Sequence, residues 1–195
     1  MNENKLTNRQ IQSKKTQEKI YNTAIELIEE KGFHNIKVSE ICEVADVSIG
    51  SFYNCFKSKN DILTEIFKVG DQFFLDDVSN NIMEGTALER IDTFFRYYAE
   101  FNVERGLDFV KQLYHVDNNL FAIKGRQIQA VLKTVIVYGQ STGEIASHMT
   151  PDEIVAYLFV AVRGAVYNWC LHDGQYDLVH YIDRYVKLLV KAIID

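Results

Sequence analysis

Hydroxyl, amide and amine side chains are concentrated between residues 38 and 59. Ser48, Ser51 and Tyr53 carry hydroxyl groups, Asn54 carries an amide and Lys59 an ammonium group. Hydroxyl and ammonium groups commonly bind phosphate oxygens, and such contacts fix a protein's register on a duplex without reading its sequence. An asparagine amide can form two hydrogen bonds with the edge of an adenine. These residue types therefore suit contact with DNA, although Tyr53 could instead pack half-buried and Asn54 could simply face solvent.

The apolar residues around these groups predict two short helices separated by a turn. Ile41, Val44 and Ala45 share one helical face, and Asp46 breaks that period. Ser48 has a side chain that can cap the second helix. The second helix has apolar residues at spacing i, i+3, i+4 and i+7, namely Ile49, Phe52, Tyr53 and Phe56. Helices this short need a larger body to hold them, and a pair of this kind is typical of a helix-turn-helix that reads DNA.

Five short motifs follow one another through this region: KGF at 31–33, VSEI at 38–41, ADVS at 45–48, GSFY at 50–53 and FKSK at 56–59. In this order they resemble the N-terminal signature of TetR-family (TetR/AcrR) transcriptional regulators. The resemblance covers residues 16–66. The remainder is similar to the family only in length, helical pattern and the step at 143–145, so its ligand is left unassigned.

The resemblance implies DNA contact for residues on and around the two short helices. Gly50 lets the backbone approach the groove closely. Lys37 departs from the family, which usually has Thr or Ser here as a helix cap that also meets a phosphate. Lysine cannot accept a hydrogen bond, so we expect the cap to be lost or moved to Asn35, while the Lys37 charge can still meet a phosphate. The predicted DNA-binding residues are Lys37, Ser39, Ser48, Ile49, Gly50, Ser51, Tyr53, Asn54 and Lys59.

The whole chain is predicted to be all-α, with about nine helices. A three-helix, helix-turn-helix head at 1–58 would include an irregular N-terminal arm at 1–12, and a helical-bundle body for ligand binding and dimerisation would follow at 59–195. The sequence TPDE at 150–153 is the strongest helix start, because it combines a cap, a first-turn proline and a capping-box glutamate. Besides the two short helices, we predict helices over about 13–31, 60–80, 86–104, 107–116, 120–139, 150–171 and 177–193.

Charge is distributed unevenly along the chain. The net charge is −6, yet residues 1–60 hold nine Lys and Arg against eight Asp and Glu, whereas residues 61–195 hold twelve against nineteen. Only nearby charge matters for a phosphate contact, because the Debye length is about 8 Å at cellular salt. The head is therefore the candidate DNA face, although the asymmetry on its own could arise by chance.

Cysteine usage and apolar runs indicate a cytoplasmic protein without a membrane partner. Cys42, Cys55 and Cys170 are scattered and odd in number, which is typical of reduced thiols. The N-terminus lacks an apolar signal segment. The longest apolar run, at 154–162, is too short to span a bilayer.

Aromatic residues are unusually dense in the middle of the body, which favours a small-molecule pocket between helices. Arg163 and Asn168 are the candidate polar anchors. A buried arginine must be paired, so Arg163 either meets an anionic effector or, as we favour, an Asp or Glu of the same fold. The predicted ligand-binding residues are Phe94, Tyr98, Phe101, Tyr114, Tyr138, Arg163, Tyr167 and Asn168. No metal spacing, phosphate loop or nucleophile setting is recognisable, so we predict no metal, cofactor or catalytic residue.

The last two helices carry wide apolar stripes that need partners on more than one side. The family resemblance implies that they pair with their copies in a four-helix dimer interface. The alternative is burial entirely within one chain. The predicted interface residues are Leu158, Val162, Trp169, Ile182, Tyr185 and Leu189.

Together these features predict a ligand-responsive, DNA-binding transcriptional regulator, with a repressor favoured. A homodimer would leave a palindromic double-stranded operator when a small hydrophobic effector compatible with aromatic side chains binds the body. Two alternatives remain: a helical adaptor that has lost specific DNA binding, which Lys37 and the weak charge of the head support, and an enzyme that uses the aromatic pocket.

Overall fold

The computed structural model describes residues 7–114, 119–123 and 125–194. The chain forms two compact units, the first ending at Phe67 and the second beginning at Lys68. Within the described ranges there are nine α-helices and no strand. The predicted all-α fold class is therefore confirmed. The functional boundary between residues 58 and 59 stays a prediction.

The first unit is a three-helix head together with the start of a fourth helix. Its helices are α1 (Asn8–Lys31), α2 (Val38–Val44), α3 (Ile49–Cys55) and the first part of α4 (Asn60–Phe73). Apolar side chains from all four, and from the loops between them, form the core of the unit. The largest fully buried ones are Ile20, Ile28, Ile36, Ile41, Phe52, Ile62 and Ile66.

Helix α1 begins earlier than predicted. Thr7 accepts a hydrogen bond from the Gln10 backbone N–H, and the Gln10 side chain accepts one from the Thr7 backbone N–H. This capping box lets the helix start at Asn8, so the prediction of an irregular arm is wrong for residues 8–12. Residues 1–6 of that predicted arm lie outside the described residues.

Helix α4 starts as predicted and then changes geometry. Asp61 accepts hydrogen bonds from the Lys57 backbone N–H and the Ser58 hydroxyl, at 2.7 and 3.0 Å. After Asn60–Phe73 the helix continues through a π-helical segment, Phe74–Val78, and a last α-helical turn, Ser79–Asn81. The π-helical segment was not predicted.

The second unit is a bundle built on the end of α4 and five further helices. The five helices are α5 (Ala87–Glu104), α6 (Leu107–Leu113), α7 (Gln127–Thr142), α8 (Pro151–Leu171) and α9 (Leu178–Leu189), with short 3₁₀ turns at Asn119–Ala122 and Val190–Ala192. Helix α5 packs against α7, α8 and α9, and α8 also packs against α6, α7 and α9.

The capping signals of the body are confirmed. Thr86 with Glu89 and Thr150 with Glu153 form capping boxes at the starts of α5 and α8, and Asp177 caps α9. The hydrogen bonds with the threonines lower the pKa of both box glutamates.

Helix α7 differs from its prediction at both ends. It begins at Gln127 rather than near Leu120, because Gly125 has a positive φ of 73° and the Arg126 cap is extended. Arg126 donates to Asp71 at 2.7 and 3.1 Å. The helix ends at Thr142, and the following Gly143 adopts the left-handed conformation that glycine favours.

The step at 143–145 joins α7 to the start of α5. Glu144 accepts a hydrogen bond from the Ala87 backbone N–H at 2.7 Å, and Ile145 is buried. At Gly139, an added Cβ would lie 2.6 Å from both Ala87 Cβ and Ile145 Cδ1. The absence of a side chain therefore allows α7 and α5 to meet at this point.

Helix α8 as a whole is long and apolar enough to cross a membrane by length and composition. The sequence prediction that no segment could span a bilayer rested on the nine-residue apolar run at 154–162, which is only part of this helix. Half of the apolar window is buried within the unit, which is the pattern of a core helix.

Candidate nucleic-acid interface and effector site

The turn between α2 and α3 fixes the direction in which α3 leaves the head. Asp46 takes a positive φ of 46°, and the Val47 backbone N–H donates to the Cys42 carbonyl at 3.0 Å. Ser48 then accepts a hydrogen bond from the Ser51 backbone N–H at 3.0 Å, as an N-cap does. The predicted helix–turn–helix and the predicted Ser48 cap are both present.

Helix α3 is anchored on one side and open on the other. Phe52 is fully buried and packs on Phe56, with ring centroids 5.6 Å apart. Away from this contact the helix is open to solvent, with Ile49 52% exposed and Tyr53 54% exposed. Most of the predicted DNA-binding residues face solvent: Lys37, Ser39, Ser48, Ile49, Gly50, Tyr53 and Asn54, while Ser51 and Lys59 are half-buried.

Helix α2 begins without a side-chain cap. Lys37 occupies the cap position and makes no capping hydrogen bond, as the sequence predicts. The amide of Asn35 instead donates to the Lys31 carbonyl at 2.6 Å, at the end of α1, so the cap has not moved to Asn35. An ion pair of 2.7 Å joins Lys31 to Glu40 of α2. The hydrogen bond that Lys31 donates to Glu40 in this pair lowers the pKa of the Glu40 carboxyl and raises the pKa of the Lys31 ammonium group.

Lys59 is engaged within the head. Its Nζ donates to the carbonyl oxygens of Phe33 and Ile36 at 2.6 and 2.8 Å, and it lies 4.4 Å from the centroid of the Phe33 ring. Burial lowers the pKa of this ammonium group. These contacts tie the start of α4 to the loop before α2, so the structure favours a role in positioning the helix-turn-helix over direct phosphate contact.

We expect Lys59→Met to lower the free energy of unfolding by about 1–3 kcal/mol, because two carbonyl groups lose their charged donor. The slope of operator affinity against salt should stay unchanged. Urea denaturation and titrations at several salt concentrations measure the two effects, with the exposed Lys57→Met as the matched control. Unchanged stability together with a salt slope reduced by about one for each head would instead identify Lys59 as a phosphate contact.

Val44 is a surface residue, contrary to what its helical period predicts. The helical period placed it on the packed face with Ile41 and Ala45, yet it is 58% exposed, whereas the other two are fully buried. In a helix of seven residues the packed face is narrow, and position i+3 falls at its edge. Only the shortness of α2 could have signalled this.

The cysteines of the head are not activated thiols. Cys42 is buried and Cys55 is half-buried, and both are free. Burial raises the pKa of each thiol, and the thiolate is the reactive form. Both side chains are therefore better described as packing residues.

The body contains a cluster of aromatic rings around one arginine, which we call the Arg163 cluster. The Arg163 guanidinium carbon lies 4.6 Å from the centroid of the Phe121 ring and 4.9 Å from that of Phe159. Tyr114 packs against Phe121 with centroids 4.7 Å apart, and Tyr98 packs against Phe159 at 6.0 Å. These five residues, from α5, the position directly after α6, the 3₁₀ turn and α8, define the cluster.

Arg163 has a donor without a partner in this setting. Its Nη1 donates to the Phe121 carbonyl at 3.3 Å, whereas the buried Nε has no hydrogen-bond partner. No carboxylate of the described residues pairs with it, so the pairing that we favoured from the sequence is not found among them and stays a prediction. Cation–π contact with the two rings supplies its stabilisation.

Two phenols extend the polar part of the Arg163 cluster. The hydroxyls of Tyr98 and Tyr114 lie 3.5 Å apart. Burial, and secondly the neighbouring Tyr98, raise the pKa of the Tyr114 phenol well above its usual range. The Tyr114 hydroxyl therefore stays protonated and can donate a hydrogen bond. A guanidinium and two phenols thus offer donors within a largely aromatic setting.

The structure brings together some of the predicted ligand-binding residues and separates others. Tyr167 stacks on Tyr114 of the Arg163 cluster, and Phe94 packs on Phe159. Phe101 lies on Phe73 and Phe74. Two residues point elsewhere: Tyr138 lies under the Arg90 guanidinium, and Asn168 donates to the Tyr176 hydroxyl.

A separate surface groove, with a volume of about 510 Å³, lies along α9 and the loop before it. It was not predicted as a ligand site. Its lining combines three tyrosines with charged and other side chains, namely Tyr176, Asp177, His180, Tyr181, Arg184, Tyr185, Lys187 and Leu188.

Most of the predicted dimer-interface residues pack within one chain. Leu158, Val162 and Ile182 are fully buried, and Trp169 is nearly so and donates to the Tyr176 carbonyl. A partner chain could not reach these side chains, which matches the alternative left open for them. Tyr185 and Leu189 remain half-buried.

Helix α8 presents a different apolar face to solvent. Val160 is 72% exposed, and Leu171 is 62% exposed. Around Gly164 an added Cβ would meet nothing within 4 Å. Spacings of three and four residues place these positions on one helical face. We call it the α8 stripe, and its members are Ala156, Val160, Gly164, Tyr167 and Leu171.

The chemistry of the chain is that of binding. Among the residues that the structure describes, no group of three or more His, Cys, Asp or Glu side chains could hold a metal ion. The head offers an open polar helix, and the body offers an arginine among aromatic rings. Fold and site together define a helix-turn-helix DNA-binding protein with a helical ligand-binding body.

Two family models match the chain. Residues 20–66 match the model of bacterial regulatory proteins of the tetR family, and residues 111–192 match the C-terminal region of YsiA-like proteins. The first match covers the helix-turn-helix, and the two together cover about two thirds of the chain. The chain belongs to the TetR family of transcriptional regulators.

Individual relatives are similar over nearly the whole chain. The fatty acid metabolism regulator protein of Bacillus subtilis is 29% identical over 183 residues, which is 89% of this chain and 93% of that protein. The crystal structure of Bacillus subtilis FadR with stearoyl-CoA is 27% identical, has a TM-score of 0.72 and covers 90% of this chain and 98% of its own. Thermus thermophilus FadR with lauroyl-CoA shares the fold, with a TM-score of 0.71 and 19% identity. The match covers 92% of this chain and 95% of that one.

These findings establish the general function. The chain is a ligand-responsive, DNA-binding transcriptional regulator that acts as a repressor, and it is not an enzyme. It binds operator DNA and a small-molecule ligand.

Proposed function

We propose that the chain represses transcription as a homodimer on a palindromic operator, which it leaves when a long-chain fatty acyl-CoA binds the body. The observation that carries the proposal is the likeness to Bacillus subtilis FadR, whose crystal structure holds stearoyl-CoA, over 90% of this chain. The regulator of fatty acid metabolism from the same organism matches over a similar length.

The Arg163 cluster suits such an effector. An acyl chain needs an apolar lining, which the rings around Phe159 supply, and pockets of this kind add a few polar groups that fix orientation. The thioester carbonyl or a phosphate of the CoA portion would accept from Arg163 and from the phenols of Tyr98 and Tyr114. The unpartnered Arg163 Nε supports this role. Tyr167, stacked on Tyr114, would complete the lining.

The α8 stripe supports dimerisation. A row of exposed apolar residues on a single helix is suited to a partner helix, and Gly164 allows close approach of two backbones. An interface of twofold symmetry uses the same patch on both chains. Two heads related in this way would read two half-sites about one DNA turn, roughly 34 Å, or a multiple of it apart, which is why the operator is proposed to be palindromic.

The exposed residues of α2 and α3 are the proposed DNA contacts. Lys37, Ser39 and Ser48 would bind phosphates, as would the Tyr53 hydroxyl, and Gly50 would allow the backbone close to the groove. The proposed site of action is the cytoplasm, which the three free cysteines support. Effector binding would release DNA only if the effector prefers the conformation that does not fit the operator.

Adding stearoyl-CoA is expected to weaken operator binding by roughly 5- to 150-fold, the usual range of coupling between two sites. The operator would first be obtained by selection from genomic DNA, and affinity would be followed by fluorescence anisotropy. Coenzyme A alone and free stearate should have much smaller effects. The variant Arg163→Met should bind the operator normally but need more stearoyl-CoA for release.

The exposed Arg96→Met is the matched control, and it should respond to stearoyl-CoA as the unaltered chain does. Undiminished operator binding at saturating stearoyl-CoA would exclude this effector class. Equal responses of Arg163→Met and Arg96→Met would leave the effector class in place but remove Arg163 from the site.

A further inference from the structure

The outward side of α3 carries an unusual set of side chains for reading DNA. Its solvent-facing residues are Ile49, Gly50, Tyr53 and Asn54. The helix contains no Arg, Lys, Gln, Asp or Glu over its whole length, Ile49–Cys55. Ser51 is half-buried, and its hydroxyl lies 2.8 Å from that of Ser48. The groups available to base edges are therefore one branched alkyl side chain, one phenol and one amide.

The major groove presents a different pattern for each base. Guanine is read chiefly by Arg or Lys, and the amino group of cytosine by Glu or Asp. Adenine is read by Asn or Gln through two hydrogen bonds, and the thymine methyl group by apolar contact. Helix α3 carries partners for adenine and thymine, and it carries none of the charged partners for guanine or cytosine.

Both side chains are free for this role. The Asn54 side chain is exposed and its amide makes no hydrogen bond within the described part of the chain. Ile49 is the first residue of α3, and the N-terminal residues of a recognition helix are those that contact base edges. The Ser48 cap and the buried Phe52 hold this first turn in place.

We propose that α3 reads A·T base pairs, with Ile49 in contact with a thymine methyl group and Asn54 hydrogen-bonded to an adenine. The inference rests on the proposed docking of the head on operator DNA and adds which bases it reads. Asn54 lies five positions after Ile49, which is about 7.5 Å along a helix. Bases on one strand are 3.4 Å apart, so the two contacts fall roughly two base-pair steps apart in each half-site.

The test removes single atoms or groups from the selected operator. Each thymine is replaced in turn by deoxyuridine, which lacks only the methyl group, and each adenine by 7-deazaadenine, which lacks the N7 acceptor. In each half-site we expect one thymine whose replacement weakens binding about fourfold, the value of one buried methyl group. We expect one adenine, about two steps away, whose replacement weakens binding fivefold or more.

Protein variants assign each effect to a side chain. In Ile49→Ala the deoxyuridine penalty at that thymine should disappear, and in Asn54→Ala the 7-deazaadenine penalty should disappear. The control Glu43→Ala, an exposed residue of α2, should retain both penalties. Replacing guanines by 7-deazaguanine should give no penalty that either variant removes.

Each other outcome counts against the proposal. If Ile49→Ala and Asn54→Ala retain every penalty, these side chains do not read bases, although the head still binds DNA. If either variant removes a 7-deazaguanine penalty, α3 reads G·C pairs instead. If no duplex is bound selectively, the proposed operator recognition fails together with this inference.

Discussion

Operator affinity is expected to fall about a hundredfold or more when Tyr53 and Asn54 are both replaced by alanine. Asn54 would lose a bidentate base contact worth roughly 1–3 kcal/mol, and Tyr53 would lose a phosphate contact. Because a dimer has two heads, each of these two contacts is lost twice. Stability should change by no more than about 0.5 kcal/mol, because both side chains face solvent.

A matched pair of exposed residues serves as the control for this variant. Glu29→Ala with Glu30→Ala changes two solvent-facing residues of α1 and should leave operator affinity nearly intact. Urea denaturation of both double variants would show whether the head stays folded. Full affinity in the Tyr53 and Asn54 variant would remove α3 from the DNA interface.

The substitution Val160→Glu is expected to convert the dimer into monomers at micromolar concentration. It places a carboxylate in the middle of the α8 stripe, where the twofold axis would bring two copies of the charge together in an apolar interface. Operator binding should weaken by at least about a hundredfold, since a monomer engages a single half-site and loses the effective concentration of the second head.

Sedimentation and operator titration measure the two consequences. The control is Val137→Glu, which alters an exposed valine of α7 outside the α8 stripe and should leave the dimer intact. A Val160→Glu variant that still sediments as a dimer would show that the α8 stripe is not the interface. Monomers in the unaltered chain would exclude the dimeric repressor altogether.

The elements that the sequence predicted best are those with local signals. Ser48, Thr86 and Thr150 each begin a helix as predicted, because a cap needs only residues within one turn. Helix starts were predicted wrongly where a local capping signal was overlooked, or where the start depends on contacts with residues distant in sequence. Thr7 and Gln10 form a capping box that the sequence contains, whereas the start of α7 depends on Gly125 and on the contact of Arg126 with Asp71.

For the candidate sites, the types of residue involved were easier to predict than whether each side chain faces solvent or the core. Helical periodicity around the buried Phe52 accounts for the exposure of Gly50 and Asn54, whereas Ile49 and Tyr53, which the period groups with Phe52, are exposed as well. The apolar stripe of α8 was recognised, but its buried and exposed faces were confused, because Leu158 and Val160 are equally apolar in sequence. The engagement of Lys59 by two carbonyl groups depends on residues more than twenty positions away, which no local pattern reveals.

The π-helical segment Phe74–Val78 has a consequence for how the length of this protein can vary. A π turn holds about one residue more than an α turn. Loss of a single residue there would restore regular geometry and leave the apolar faces on either side in phase. The same loss elsewhere in this helix would rotate the residues beyond it by about 100°, so within the helix a deletion is best tolerated in this segment.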